Sequence, residues 1–335
     1  MNVFIKAIEY HLPERVLGNE ELSREFPEWT PERIEAKIGI TERHIAAEGE
    51  TAADLGVKAA QKLFASGACT PADIDFLLFC TQSPDYCLPT SACVMQHRLG
   101  LPTTAGALDF NLGCSGYVYG LSLAKGLIET GQAKRVLLIT ADTYSKFMHV
   151  QDKSVRTLFG DAAAATLLEA GEQESVGPFV FGTDGAGAHH LIVEAGAARK
   201  PQSSDEVSWD EHGNPKSESC LFMNGPEIFA FTQDMVPKSI DTLLAKVEMK
   251  HDDIDLFVFH QANQYMLEFL RRKIGIPKEK FVVSMRTTGN TVSATIPIAL
   301  REAQKEGKLH AGMKIMLVGF GVGYSWAATL LRWQA

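Results

Sequence analysis

The chain has 335 residues, 45% apolar and 22% charged, enough for one large domain or two ordinary ones with an ample core. A net charge of −9 argues against a general nucleic-acid binder, whose surface would be basic overall, and no apolar stretch approaches the length of a membrane span. The six cysteines form no CxxC pair, and the first twenty residues lack a basic segment leading into an apolar run. The expectation is a cytoplasmic protein with free thiols, no metal site and no disulfide framework.

Residues 3–10 read as a first strand, broken by Leu12-Pro13. Asn19-Glu20-Glu21 and Thr30-Pro31-Glu32 read as helix starts, each with a capping residue and acids in the first turn. Residues 51–65 carry apolar side chains at helical spacing and predict a packed helix. Residues 76–81 are a continuous apolar run, which predicts a strand buried on both faces. A helix follows over residues 90–99 and stops at Gly100. Further strands are expected at 107–110, 134–140 and 162–168, with a helix over 118–128. Strands alternating with helices indicate an α/β protein.

The second half repeats this plan. Asp73-Ile74-Asp75-Phe76-Leu77 matches Asp253-Ile254-Asp255-Leu256-Phe257, and Arg135-Val136-Leu137-Leu138 matches Lys314-Ile315-Met316-Leu317 at almost the same offset. An internally duplicated fold is expected, residues 1–172 forming one half and 173–335 the other around one shared core. Each half should carry a mainly parallel sheet. Residues 199–219, rich in Ser, Asp, Glu, Lys, Gly and Pro, read as a surface loop or cover.

Asn111-Leu112-Gly113-Cys114-Ser115-Gly116 lies where the 107–110 strand gives way to a helix. A helix start offers free N–H groups and a positive dipole end, which favour a thiolate nucleophile. The same features suit a small buried core cysteine. His260 directly follows an apolar strand, and Asn290 follows Gly289 ahead of a helical segment. Alone, the first reads equally as a core histidine and the second as a helix cap. Cys, His and Asn together are a nucleophile constellation.

Four motifs in order then carry a resemblance: Gly113-Cys114-Ser115-Gly116, His260-Gln261-Ala262-Asn263, Gly289-Asn290-Thr291 with Ile296-Pro297, and Gly319-Phe320-Gly321-Val322-Gly323. Together with Gly39-Ile40-Thr41-Glu42-Arg43 and Phe159-Gly160-Asp161, they resemble the β-ketoacyl-acyl-carrier-protein synthase III family of the thiolase superfamily. The resemblance implies a thiolase-like duplicated αβαβα fold, a homodimer, and a Cys114–His260–Asn290 site. Cys114 would take an acyl group from a thioester, with the backbone N–H groups of Cys114 and Val322 as oxyanion hole. Decarboxylative condensation with malonyl on an acyl carrier protein would follow, without metal or dissociable cofactor. Val322 replaces a glycine of the family's usual triple.

The residues that would grip substrate depart further from the family. Arg33 stands where known members have a tryptophan that stacks on adenine, and Trp29 lies one turn earlier. Lys37 and Lys153 replace two arginines of that coenzyme A site. Ala230 and Tyr265 replace a lysine and an arginine, whereas the basic trio Arg271, Arg272, Lys273 is kept and suits an acidic carrier protein. Leu88 matches the position that reaches across the dimer into the partner's acyl pocket, and in place of a large aromatic it leaves room for a longer or branched acyl group. Rival readings are an acyltransferase that passes the acyl group from Cys114 to an alcohol or amine, a non-catalytic partner subunit of a synthase, and a thioesterase.

Overall fold

The computed structural model describes residues 2–172, 175–204, 206–211 and 213–334. Nine strands build its two main sheets. The first comprises β1 (Asn2–His11), β2 (Phe76–Cys80), β3 (Gly106–Phe110), β4 (Arg135–Asp142) and β5 (Ala162–Gly171), in spatial order β1-β5-β4-β2-β3. The second comprises β6 (Val176–Thr183), β7 (Leu256–Phe259), β8 (Lys314–Gly321) and β9 (Ser325–Arg332), in order β7-β8-β9-β6. The helices that matter here are α1 (Asn19–Glu25), α2 (Pro31–Ile38), α3 (Ala52–Ala65), α4 (Ser91–Leu99), α5 (Gly116–Glu129), α6 (Gly225–Lys246), α7 (Gln264–Ile274) and α8 (Thr295–Lys305).

Local chemistry explains several boundaries. Thr51 and Asp54 form a reciprocal capping box at the start of α3, an arrangement worth about 1 kcal/mol. Thr30 accepts from the Arg33 amide and Pro31 occupies the first turn of α2, as its sequence indicates. Asn19 is different. It lies inside α1, and its side chain donates to the Ile40 carbonyl and accepts from Arg43, so it braces a loop instead of capping.

Five layers result. One outer layer is α3 and α4, whose Leu55, Leu63 and Met95 pack with Leu77, Phe79, Leu137 and Ile139 of the first sheet. Between the sheets lie α5 and α8. Their Val118, Leu121, Ile296 and Leu300 meet Leu78 and Leu138 on one side and Val258, Ile315 and Leu317 on the other. The other outer layer is α6 and α7, with Val236, Ile240, Leu267 and Leu270 against Phe257, Phe259, Met316 and Val318.

The matched segments occupy equivalent places. β2 and β4 pair in parallel in the first sheet, and β7 and β8 do so in the second. The first sheet's remaining parallel strand, β3, is answered in the second by a lone parallel bridge from Phe257 to Phe281. The sheets are mixed, not mainly parallel: β1, β5 and β4 run antiparallel to their neighbours in turn, as do β8, β9 and β6. Apolar runs report burial on two faces but not direction. The 199–219 segment is mostly exposed and carries a small ladder, Ser208–Trp209 on Pro215–Lys216, with the Trp209 ring edge-on to His149. Asp205 and His212 of that segment lie outside the described residues.

Candidate active site

Cys114 sits in the turn between β3 and α5 and is 5% exposed. Two features of the second half fix this turn. Ser115 Oγ lies 2.5 Å from Ser325 Oγ at the start of β9. Gly321 ends β8 so close to the cysteine that a Cβ there would fall 2.8 Å from both Cys114 Cβ and Sγ. Only glycine permits that approach, and it carries the Val322 amide onto the sulfur. The N–H groups of Cys114 and Val322 both face Sγ.

Burial pushes the Cys114 thiol up to about 12. The nearby Asp142 carboxylate adds to the rise, and the two N–H groups act against it. The thiolate expected at a helix start is therefore not the resting form. Loss of water outweighs the free N–H groups, and the resting group is a neutral thiol.

His260 leaves the end of β7, its own amide donating 2.8 Å to the Val318 carbonyl of β8. The ring is 2% exposed and meets Phe320 edge-on with centroids 5.5 Å apart. Its Nδ1 lies 2.8 Å from Thr295 Oγ1 at the first residue of α8. Burial pushes the imidazole down to about 3, so it is neutral at pH 7.

Asn290 is held as an extra rung between the halves. Its amide donates to the Leu158 carbonyl and its carbonyl accepts from Gly160. The side-chain Oδ1 accepts from the Val292 amide at 3.0 Å, which fixes the carboxamide and leaves its NH₂ to donate. Asn290 is not a cap of α8, which begins five residues later.

The structure therefore brings the Cys114 turn of the first half against Gly319 and Gly321 of the second, the strand end on which the His260 ring also rests, while the backbone of Asn290 is paired with Leu158 and Gly160 of the first half. Val292 and Val322 both lie against Gly113 beside the cysteine. Sequence reasoning missed several neighbours. Asp142, at the end of β4, accepts from the Gln82 amide at 2.8 Å and from the Ser293 amide and hydroxyl at 3.2 and 2.5 Å. It thereby ties the loop after Asn290 to the first half, and burial pushes its carboxyl up to about 7. Tyr144, buried in the same cluster as Cys114, donates to Gln82 Oε1 at 2.5 Å. A polar residue closing an apolar strand, as in Ala141-Asp142, was the available signal for the first.

The remaining candidates lie elsewhere. Arg33 and Lys37 both stack on Trp29, at 5.4 and 4.4 Å from the ring centroid, and Lys153 pairs with Glu28 at 2.9 Å. Arg33 and Lys37 are exposed on α2 and Lys153 is half-buried, and all three meet the Glu28-Trp29 segment that precedes α2. On α7, Arg271 and Arg272 share Glu268, whose carboxyl Arg271 above all holds down near 2. Lys273 donates to the Gln233 carbonyl. The trio is thus partly self-neutralised. Leu88 is 82% exposed on the segment between β2 and α4. Among the described residues no helix is long and apolar enough to cross a membrane, and no three His, Cys, Asp or Glu side chains are grouped to hold a metal ion.

Comparison with known proteins gives the family. The family model "3-Oxoacyl-[acyl-carrier-protein (ACP)] synthase III" matches residues 108–185, and its "C terminal" companion matches residues 244–333. The chain is 39% identical to "Beta-ketoacyl-[acyl-carrier-protein] synthase III 2" of Halalkalibacterium halodurans over 98% of its own length and 96% of the relative's. It is 36% identical to "Beta-ketoacyl-[acyl-carrier-protein] synthase III" of Clostridium perfringens, over 96% of each chain. A crystal structure of a 3-oxoacyl-(acyl-carrier-protein) synthase III superposes with a TM-score of 0.98 at 57% identity, covering 99% of this chain and 100% of that one. The chain belongs to the β-ketoacyl-acyl-carrier-protein synthase III family of thiolase-like condensing enzymes.

Proposed function

We propose that Cys114, His260 and Asn290 are the catalytic residues of a decarboxylative condensation. In the first half-reaction Cys114 Sγ attacks the carbonyl of an acyl thioester. The thiol gives up its proton as it attacks, and the departing thiolate takes one up, so no net charge is left. The N–H groups of Cys114 and Val322 receive the tetrahedral oxyanion. In the second, malonyl on a carrier protein loses carbon dioxide. The electron pair of the broken C–C bond passes into an enolate, whose oxygen accepts from Asn290 Nδ2 and His260 Nε2. The carbanion then attacks the acyl carbonyl, and the Cys114 thiolate leaves and regains a proton. A neutral imidazole suits this role, because it offers a hydrogen without needing to lose charge. The carbon atoms of the product all come from the two thioester substrates, the proton that Cys114 regains comes from solvent, and the reaction needs no metal or dissociable cofactor.

The observation that carries this reading is the convergence of two backbone N–H groups, one from each half of the molecule, on a single buried sulfur. The relatives' names and the acidic surface of carrier proteins favour an acyl carrier protein as partner, docking near Arg271, Arg272 and Lys273, with Arg33, Lys37 and Lys153 receiving the acyl donor. A cytoplasmic homodimer is part of the same proposal. In it Leu88 enters the partner's acyl pocket, and the halves 1–172 and 173–335 share one core. The test is intact mass after incubation with a panel of acyl thioesters. One acyl group should add to the wild type and none to Cys114→Ala. An adduct that survives Cys114→Ala contradicts the assignment, and release of the acyl group onto a hydroxyl or amine without carbon dioxide would replace condensation by simple acyl transfer.

A further inference from the structure

Asp142 ends β4 and is fully buried. Its Oδ1 accepts from the Gln82 amide at 2.8 Å, and its Oδ2 accepts from the Ser293 amide and hydroxyl at 3.2 and 2.5 Å. All three contacts come from donors. That is the surrounding of a carboxylate, not of a carboxylic acid that must itself donate. Burial raises the group to about 7, against the pull of those donors.

Both partners of this carboxylate lean on the turn that carries Cys114. On one side, Gln82 Nε2 donates 2.9 Å to Asn111 Oδ1, and Gln82 Oε1 would lie 2.5 Å from a Cβ at Gly113. On the other, Val292 Cγ1 would lie 3.3 Å from that same Cβ, and Ser293 Cβ 3.8 Å from one at Gly116. The two glycines are themselves joined, the Gly116 amide donating 2.8 Å to the Gly113 carbonyl. One carboxylate thus grips both walls of the slot in which Cys114 turns, and each wall comes from a different half of the molecule. The Cys114 N–H belongs to the peptide that leaves Gly113, so its direction follows from where that glycine is held. Val322, source of the second N–H, presses on Gly113 as well.

We propose that Asp142 is a positioning residue for the nucleophile. By holding Gln82 and Ser293 it fixes the Gly113–Gly116 turn, and with it the direction in which Cys114 presents its sulfur and its N–H to the acyl carbonyl. Its oxygens are occupied by the three donors, so it acts through the turn and not on the substrate. This rests on the reading of Cys114 as acyl carrier above, and on no role of His260 or Asn290.

The test follows single-turnover acyl loading of Cys114 by intact mass at about pH 8, where the carboxyl is ionised. It compares wild type, Asp142→Asn, Ser293→Ala and the double variant. The donors are acetyl, butanoyl and octanoyl groups, each on coenzyme A and on carrier protein. Asp142→Asn sets an NH₂ against a donor that the carboxylate accepted. Loading should still reach one acyl group per chain, but about 100-fold more slowly, the cost of a misdirected oxyanion donor, with the half-saturating donor concentration unchanged. Ser293→Ala keeps the charge and removes one charge-assisted hydrogen bond, and should load about 10-fold more slowly. The double variant should be no slower than Asp142→Asn, because both changes release the same clamp. A residue that only keeps the chain folded behaves otherwise: the fraction that loads falls, while the folded remainder loads at the wild-type rate. That result overturns the proposal. So does a wild-type maximal rate in Ser293→Ala, or a loss that resides wholly in the half-saturating concentration. If circular dichroism shows Asp142→Asn unfolded, Ser293→Ala decides. Failure of the underlying reading is distinguishable, because the wild type itself then takes an acyl group from none of the donors.

Discussion

Cys114 illustrates how burial overrides a local motif. The Gly113-Cys114-Ser115-Gly116 turn ahead of α5 is legible in the sequence, and helix-start chemistry points to a stabilised thiolate. The fold instead seals the sulfur from water beside Asp142, and the thiol is pushed up to about 12. A group raised this far holds its proton across the neutral range, and its thiolate fraction grows about tenfold per pH unit until the pKa is reached. Alkylation of Cys114 by iodoacetamide, read by peptide mass spectrometry, should therefore keep climbing from about pH 6 to about pH 10. A plateau near neutrality would mean that the N–H groups win. The exposed Cys87 and Cys93 must be followed separately in the same digest. Asp142 and Thr295 escaped a reading by residue type for a related reason. Their partners, Ser293 and His260, lie far away along the chain, and a lone Asp or Thr carries no mark of a distant partner.

At the scale of elements, the apolar strands were legible because both of their faces are buried, and the duplication because each half must repeat that pattern. Strand direction and the reduction of the fifth strand to one bridge at Phe281 were not, since both depend on how the chain connects and packs in three dimensions. The loops that carry Asn290 rest on an element whose importance is invisible to hydropathy, the short strand Glu42–Ile45. Its Arg43 is fully buried. It donates to Asn19 Oδ1 at 2.6 Å and to the Leu17 and Thr157 carbonyls. The backbones of Gly160 and Gly289 pack directly on its Cβ, so close that a Cβ on either would come within 3.0 and 3.1 Å of it. Burial lowers the guanidinium to about 10, still charged at neutral pH. Arg43→Met keeps bulk but strands three buried acceptors, and should cost about 3 kcal/mol of stability by urea unfolding. A change below about 1 kcal/mol would show that these loops hold themselves.

For the whole molecule, the five layers bring the turn that carries Cys114 in one half onto the Phe320-Gly321 strand end of the other, where the His260 ring also packs. That convergence explains why neither half alone announces a site. The first sheet ends at β3, an edge strand with Leu108 39% exposed, and Tyr86 and Leu88, 60% and 82% exposed, stand on the segment following β2. An open edge of this kind invites pairing with another chain. The proposed homodimer covers it, so light scattering should give twice the chain mass. Leu88→Asp should weaken the dimer or its acyl loading, whereas a wild-type monomer with full activity would remove the partner from the account.

The central claim is that one site runs two half-reactions with different residues, Cys114 and two N–H groups for acyl transfer, and His260 with Asn290 for decarboxylation. The direct measurement loads an acyl group onto wild type, His260→Ala and Asn290→Ala, and then follows carbon dioxide release from malonyl-carrier protein. Loading should be close to wild type in all three, and carbon dioxide release should fall about 100-fold or more in both variants. Equal damage to loading and decarboxylation, or decarboxylation that survives both substitutions, would contradict it.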